Sequence, residues 1–211
     1  TGVGNGYVLQ SGANGFQPIT SAALNIDIQI PLGINAVWRG TVDSLWTNAA
    51  NWQSDTVPDS ASNVFIPAAT PHHPYLGTSG YAHMNRLVIA PSASFKADTL
   101  STVQVDSSLD NSAIVTGGGT IQLAKAGTVR GIFNTVSITG NYAVASGSGL
   151  QANRDLTISG VTARLDLNGT NSSTNGSLTV TNGALLVMTH AADTLNVTGN
   201  ASFNGGDETG L

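Results

Sequence analysis

A short motif, in which two aliphatic residues flank one polar or variable residue, recurs along the chain from Met84 onward. Alternation with a period of two predicts a short strand with one buried face, and the Gly, Asn and Ser residues between the motifs predict tight turns. The first residues of successive motifs are separated by 16, 18, 15, 20, 22 and 17 positions. The seven motifs are residues 87–89, 103–105, 121–123, 136–138, 156–158, 178–180 and 195–197.

This spacing favours a coil over a meander of hairpins, because hairpin strands tend to follow one another about every 8 to 12 residues. Weaker strand-like segments lie midway between the motifs, so that each unit holds two or three strands. Such a unit fits one turn of a β-solenoid, in which stacked turns enclose a continuous aliphatic column. The midway segments are residues 113–115, 142–144, 164–167 and 185–188.

Composition restricts the partners of such a rod. Only 9% of the residues are charged, against roughly a quarter in ordinary domains, and seven basic residues against twelve acidic ones give a net charge of −5. No cluster of Lys or Arg occurs, which disfavours binding to nucleic acid or anionic membranes. The chain has no cysteine, no apolar run that could span a bilayer and no signal segment, and we interpret it as a processed or excised piece.

All three tryptophans fall between residues 37 and 67, in a segment unlike the repeats. Trp38-Arg-Gly is followed by Trp46, four residues and Asn51-Trp52, and then by Val57-Pro58 and an apolar strand. This pattern resembles the segment that opens the β-helix in many large bacterial surface and autotransporter-like proteins. The resemblance implies a capped right-handed β-helix. Together with the seven motifs and a composition that disfavours helix, it predicts an all-β fold, a right-handed parallel β-helix of about seven coils with an N-terminal β-rich capping segment.

We therefore expect three parts: an extended segment over residues 1–36, a Trp-rich cap with the first coil or coils over 37–83, and β-helix repeats over 84–211. The first part holds strand-like runs at residues 7–10 and 23–30, and Pro31 ends the second run. It is the tail of a preceding domain, a strand packed on the helix, or a strand donated to a neighbouring subunit. The residues that would form the apolar face of an intersubunit strand are Leu24, Ile26, Ile28 and Ile30.

Two sets of residues are candidates for binding a glycan. The rings of Trp38, Trp46 and Trp52 either form a platform on which sugars stack or pack inside the cap. The second set would suit an acidic sugar or a surface salt bridge, and consists of Arg154, Asp155, Arg164 and Asp166. Asp106 with Asp110 is a further pair that could approach across coils, although solvated corner positions account for each of these carboxylates.

We predict no catalytic residues, no metal site and no cofactor. His72 and His73 are adjacent in a Pro-rich loop, and no acidic partner for them or for His83 lies nearby in sequence. The sequence instead favours a non-catalytic extracellular structural or adhesive module of a bacterial surface, matrix or filament protein, with copies of itself or an extracellular glycan as partner. The alternative is a β-helix that binds or degrades polysaccharide, with the Asp155 and Asp166 carboxylates at its centre.

Overall fold

The computed structural model describes residues 33–205, together with the backbone of the short strands Gly2–Gly4, Tyr7–Leu9, Ser11–Gly12, Gly15–Phe16 and Asp207–Thr209. Within this part of the chain the only helix is one 3₁₀ turn, Ala49–Asn51. All other regular structure is β-strand, and from residue 36 onward the strands stack in parallel register as a β-solenoid of about seven turns. The prediction of an all-β parallel solenoid is confirmed.

The strands form three columns, which we number in chain order around the turn; the first turn contributes only Ala36–Val37, in column 2, and the complete turns after it contribute to all three. Column 1 contains the strands Tyr81–Met84, Thr102–Val105, Thr120–Leu123, Thr135–Ile138, Leu156–Ser159, Leu178–Thr181 and Ala201–Asn204. Column 2 contains Ala36–Val37, Asn63–Ile66, Arg86–Ile89, Asn141–Val144, Arg164–Asp166, Leu185–Val187 and Asp207–Thr209. Column 3 contains Tyr75–Leu76, Ser94–Ala97, Leu150–Ala152, Asn171–Thr174 and Thr194–Val197.

Two longer strands, Leu109–Thr116 and Ala126–Phe133, run through the corner between columns 2 and 3. Their first halves pair with column 2, and their second halves pair with column 3. The register shifts between Asp110 and Ile114, where the strand bends around this corner. These turns are the shortest in the solenoid because the bend replaces a loop.

The core is a stack of aliphatic side chains in register from turn to turn. In column 1, one row runs through Val103, Ile121, Val136, Leu156 and Leu178, and all five are at most 2% exposed. Burying each such side chain contributes about 1.5 to 3 kcal/mol relative to exposure. One continuous cluster of this kind extends from Ala36 to Leu186.

The assignment of all seven sequence motifs to equivalent positions is wrong at both ends. Residues 87–89 belong to column 2 and residues 195–197 to column 3, whereas the other five motifs lie in column 1. The column 1 strands at the ends are instead Tyr81–Met84 and Ala201–Asn204. Ala82 and Met84 occupy the inward positions of the first strand, and Phe203 takes the register position of Val180 in the last; none of the three fits the aliphatic pattern.

Parallel stacking begins before the repeat is visible in the sequence, because Ala36–Val37 already pairs with Asn63–Ile66 in column 2. The outward residues Val37, Phe65 and Val88 form a second, small apolar cluster on column 2. In the N-terminal segment, Tyr7–Leu9 pairs antiparallel with Gly2–Gly4, which confirms a strand at residues 7–9. The candidate intersubunit strand of Leu24, Ile26, Ile28 and Ile30 lies outside the described residues, and the division into three parts stays a prediction.

Candidate functional site

The largest polar cluster of the described residues surrounds Asp106, at the corner between columns 1 and 2. The Asp106 side chain is 1% exposed and lies 2.7 Å from Lys125 Nζ and 3.0 Å from His83 Nε2. Gln104 Nε2 donates to the other carboxylate oxygen at 2.9 Å. These four residues come from three successive turns, so one carboxylate joins three turns of the solenoid.

Burial and hydrogen bonding act on the Asp106 carboxyl in opposite directions. Burial raises its pKa, but the hydrogen bonds from Lys125, Gln104 and His83 favour the ionised form more strongly and lower the pKa from 3.8 to about 2. The carboxylate is therefore ionised across the physiological range. Its fixed negative charge and its three donors indicate an anchor rather than a general base, which would need a pKa near the working pH.

Gln104 extends this cluster onto the outer surface of column 1. Its Oε1 atom accepts a hydrogen bond of 2.7 Å from Tyr81 Oη, and the Tyr81 ring lies 6.0 Å from the ring of His83. Tyr81 is 57% exposed. The cluster thus holds an aromatic ring in a defined position at the surface.

Beyond Tyr81 and His83 the outer surface of column 1 consists of the uncharged polar side chains of Thr, Ser and Gln residues. They alternate with the buried aliphatic residues and stack in register from one turn to the next. We call this surface the column 1 face; it comprises Tyr81, His83, Thr102, Gln104, Thr120, Gln122, Thr135, Ser137, Thr157, Ser159, Thr179 and Thr181.

Most of the hydrogen-bonding capacity of the column 1 face is unused by the protein. Within the described part of the chain, the side chains of seven Thr and Ser residues and of Gln122 make no hydrogen bond to another residue; the seven are Thr102, Thr120, Thr135, Ser137, Thr157, Thr179 and Thr181. Columns 2 and 3 differ in this respect. Arg130 binds Asp110 through two hydrogen bonds of 2.5 and 2.7 Å, and Thr194 Oγ1 donates to Asn171 Oδ1 at 2.8 Å.

The tryptophan platform expected as one alternative is wrong, because the three rings are in the core. Trp38 and Trp52 are 0% exposed and Trp46 is 2% exposed. Trp52 packs edge to face against both other rings, at 5.0 Å from Trp38 and 4.7 Å from Trp46. A sugar cannot reach these faces, so the alternative of packing inside the cap is confirmed.

The tryptophan motif is built around two further residues. Asn51 is fully buried; its Oδ1 accepts from the backbone amides of Val42 and Asp43 at 3.1 Å each, and its Nδ2 donates to Asp43 Oδ1 at 2.7 Å. Gly40 has φ of +56°, and a Cβ atom there would lie 2.1 Å from the carbonyl oxygen of His72. The motif therefore encodes a tightly packed turn, and its glycine is required by both conformation and space.

The second predicted set is not brought together as a site. Arg164 and Asp166 form a surface salt bridge of 3.0 Å on column 2, and Arg154 is exposed. Asp155 is exposed directly before a column 1 strand, where its Oδ1 accepts from the amide of Ser177 at 2.9 Å. Each carboxylate has its own local partner, and the prediction that Arg164 forms a simple salt bridge is confirmed.

Asp106 was expected at a solvated corner, and that expectation is wrong. The structure also gives His83 an acidic partner that is 23 residues distant in sequence. The strand register that pairs Gln104 with His83 would have placed His83 beside Asp106. The aliphatic motif did not predict the strand that contains His83, so this contact was missed.

Among the described residues, no group of three or more His, Asp or Glu side chains is placed to hold a metal ion, and no helix is long and apolar enough to cross a bilayer.

The fold and this site define a parallel β-solenoid with a tryptophan-packed first turn and one broad, neutral polar face. The chain belongs to the family described as "Domain of unknown function (DUF8693)", which matches residues 37–152. The matched range includes the whole tryptophan motif and the Asp106 cluster. No curated protein and no solved structure matches the chain.

Proposed function

We propose that the chain is a non-catalytic, extracellular structural or adhesive module of a bacterial surface, matrix or filament protein. The observation that carries the proposal is the division of polar groups over the surface. The Asp106, Asp110, Asp155 and Asp166 carboxylates are each engaged by neighbouring donors, whereas on the broad column 1 face most hydroxyls and the Gln122 amide make no hydrogen bond within the described part of the chain. A binding surface needs this arrangement, and a hydrolase or lyase needs convergent carboxylates instead.

The surface depressions add support. One, of about 320 Å³, is lined by residues around Pro58 and contains a single carboxylate, Asp59. Asp59 Oδ1 accepts from the Ala61 amide and from the Ser62 hydroxyl, both at 3.0 Å, within its own loop. Another, of about 440 Å³, is lined by Ser, Ala and Thr residues with Ile132. Neither depression brings two ionisable side chains together for acid and base catalysis.

The bacterial surface location rests on the resemblance of the tryptophan segment to the opening segment of autotransporter-like β-helices. The packing of Trp38, Trp46, Trp52, Asn51 and Gly40 agrees with a capping role for this segment. A covered first turn is what an exposed rod requires, because unpaired strand edges promote aggregation.

The proposal is tested by incubating the purified chain with acidic and neutral polysaccharides and measuring new reducing ends and unsaturated uronates. We expect the polymers to stay intact and part of the protein to remain bound to at least one of them. Product release that is abolished by Asp155→Ala or Asp166→Ala would instead establish the degradative alternative.

Copies of the chain are the second proposed partner, through strand donation by residues 23–30. Ile26→Asp and Ile28→Asp place charges on the apolar face of that segment. If the segment is donated, sedimentation of the wild-type chain shows oligomers, and either substitution converts them to monomers. A monomeric wild-type chain would contradict strand donation and leave adhesion through glycans as the proposal.

A further inference from the structure

We infer that the column 1 face binds a neutral polysaccharide chain, with Tyr81 as the stacking ring and the Thr, Ser and Gln rows as hydrogen-bonding groups. This inference rests on the proposed adhesive function, which leaves the binding surface and the class of partner open. Four observations lead to it.

The first observation is the repetition of the face. In-register pairing brings Thr102, Thr120 and Thr135 into one row, and Gln104 lies beside Gln122 in the next. Neighbouring strands lie about 4.8 Å apart, and alternate residues of one strand about 6.6 Å apart. The face therefore presents the same hydrogen-bond donors and acceptors at fixed intervals. A polysaccharide of identical sugar units likewise presents its hydroxyl groups at regular intervals.

The second observation is that these groups are accessible and unpaired. Thr102, Thr120 and Thr135 are half-buried, and their hydroxyls make no hydrogen bond within the described part of the chain. Hydroxyl and amide groups of this kind both donate and accept, which suits the hydroxyls of a sugar. Because they are fixed on a rigid sheet, little conformational entropy is lost when they bind.

The third observation is the charge of the face. None of its side chains is Asp, Glu, Lys or Arg. The charged groups that adjoin it are the buried Asp106 carboxylate, which contacts Gln104 and His83, and Lys125, which neutralises Asp106 at the corner beside the strands. A polyanion such as nucleic acid or a uronate polymer gains most of its affinity from fixed cations, and the face provides none. An uncharged sugar polymer is the class of ligand whose chemistry this surface matches.

The fourth observation is the fixed aromatic ring. Tyr81 is more than half exposed, yet its hydroxyl is held by Gln104 Oε1, while Gln104 Nε2 is itself held by Asp106 Oδ1. A flat ring positioned in this way can stack on the apolar face of a pyranose, and its preorganisation reduces the cost of binding. The buried Asp106 cluster thereby acts as a positioning element for the stacking ring.

The experiment compares substitutions of two half-buried glutamines, one on the column 1 face and one outside it. Gln122 lies on the column 1 face, whereas Gln151 points outward from column 3. Native gels of the full chain are run with hydroxyethyl cellulose, galactomannan or xyloglucan as neutral polymers, and with alginate as a polyanion. We expect at least one neutral polymer, but not alginate, to retard the wild-type chain.

Among the variants, we expect Tyr81→Ala to weaken binding about tenfold and Gln122→Ala or Thr120→Val about three- to tenfold. Gln151→Ala should bind like the wild type. Thr120→Val keeps a β-branched side chain, so its effect reports the hydroxyl and not the fold. Circular dichroism and urea unfolding of each variant confirm that the comparison is made between folded proteins.

The inference would be overturned by no retardation with any neutral polymer, by retardation with alginate alone, by equal weakening in Gln122→Ala and Gln151→Ala, or by unchanged affinity in all of the column 1 variants. If the wild type binds and none of the column 1 variants changes affinity, another face binds the glycan and the proposed adhesive function stands. Shortening of the polymer by the wild type would instead refute the proposed function itself.

Discussion

The Lys125 ammonium group lies 2.7 Å from the Asp106 carboxylate, although the two residues belong to successive turns of the solenoid. Lys125 is 72% exposed and Asp106 only 1% exposed, so the lysine covers a carboxylate that the backbone has buried. Together with His83 from the preceding turn, the pair connects three turns through side chains. Backbone pairing alone joins only adjacent turns.

Removing the charge of Asp106 should therefore destabilise the protein. The lowered pKa corresponds to about 2 kcal/mol of stabilisation of the ionised form, and we expect Asp106→Asn to lower the free energy of unfolding by about this amount. Urea unfolding measures the loss. Asp155→Asn is the control, because that carboxylate is exposed at another corner, and equal losses in both variants would contradict a special role for Asp106.

The same carboxyl should give a defined dependence of stability on pH. Its folded pKa is about 2 against 3.8 in the unfolded chain, so its contribution is complete above about pH 4 and is lost as the pH falls toward 2. The difference in unfolding free energy between wild type and Asp106→Asn should consequently shrink between pH 4 and pH 2. A difference that stays constant over this range would show that the substitution acts through packing.

Tyr142 should determine how the stability of the fold falls at high pH, because its pKa is raised whereas that of Asp106 is lowered. Burial and the nearby Asp106 charge raise its pKa to about 12, so the neutral phenol stabilises the fold below about pH 10, and this contribution is lost as the pH rises to 12. Its hydroxyl donates to the carbonyl oxygen of Val105 at 2.8 Å. That oxygen also accepts from the Ala124 amide, so Tyr142→Phe should cost only about 1 kcal/mol at neutral pH.

The alkaline measurement is thermal unfolding of both proteins from pH 9 to pH 12. The wild type should lose stability steeply above pH 10, and Tyr142→Phe should lose less over the same interval. Parallel curves would mean that another group determines the alkaline limit.

A strained corner residue offers a stabilising change. Leu100 has φ of +62° and is 76% exposed, a left-handed conformation that costs a branched apolar residue about 1 kcal/mol. Asn tolerates this conformation, so Leu100→Asn should raise the free energy of unfolding by up to about 1 kcal/mol. The matched control is Val161→Asn, because Val161 is 85% exposed and φ is not positive there; its substitution should leave stability unchanged.

The sequence was sufficient for the solenoid but not for the column of each strand. Alternation is the same in all three columns because each buries one face against the common core, so residues 87–89 and 195–197 looked equivalent to the column 1 motifs. Because the corners between strands vary in length, the position of a residue in the chain does not tell which residue of the next turn it pairs with. The strand Tyr81–Met84 was missed because Ala82 and Met84 fill inward positions usually taken by Val, Ile or Leu.

The candidate site could not be predicted for related reasons. Asp106, His83 and Lys125 are 19 to 42 residues apart in sequence, and only the pairing of successive turns brings them together. The tryptophans were ambiguous because an indole packs equally well in a core or against a sugar. The sequence showed a low content of charged residues, but the grouping of the Thr, Ser and Gln side chains on the column 1 face depends on the register between strands.

The central claim is that the chain binds a neutral polysaccharide without cleaving it. Light scattering of the polymer after chromatography, with and without the wild-type chain, measures both parts of this claim at once. We predict that the mass of the polymer peak increases by the mass of bound protein and that its elution volume does not move toward smaller species. An unchanged mass would contradict binding, and a decrease in polymer mass would contradict the absence of cleavage.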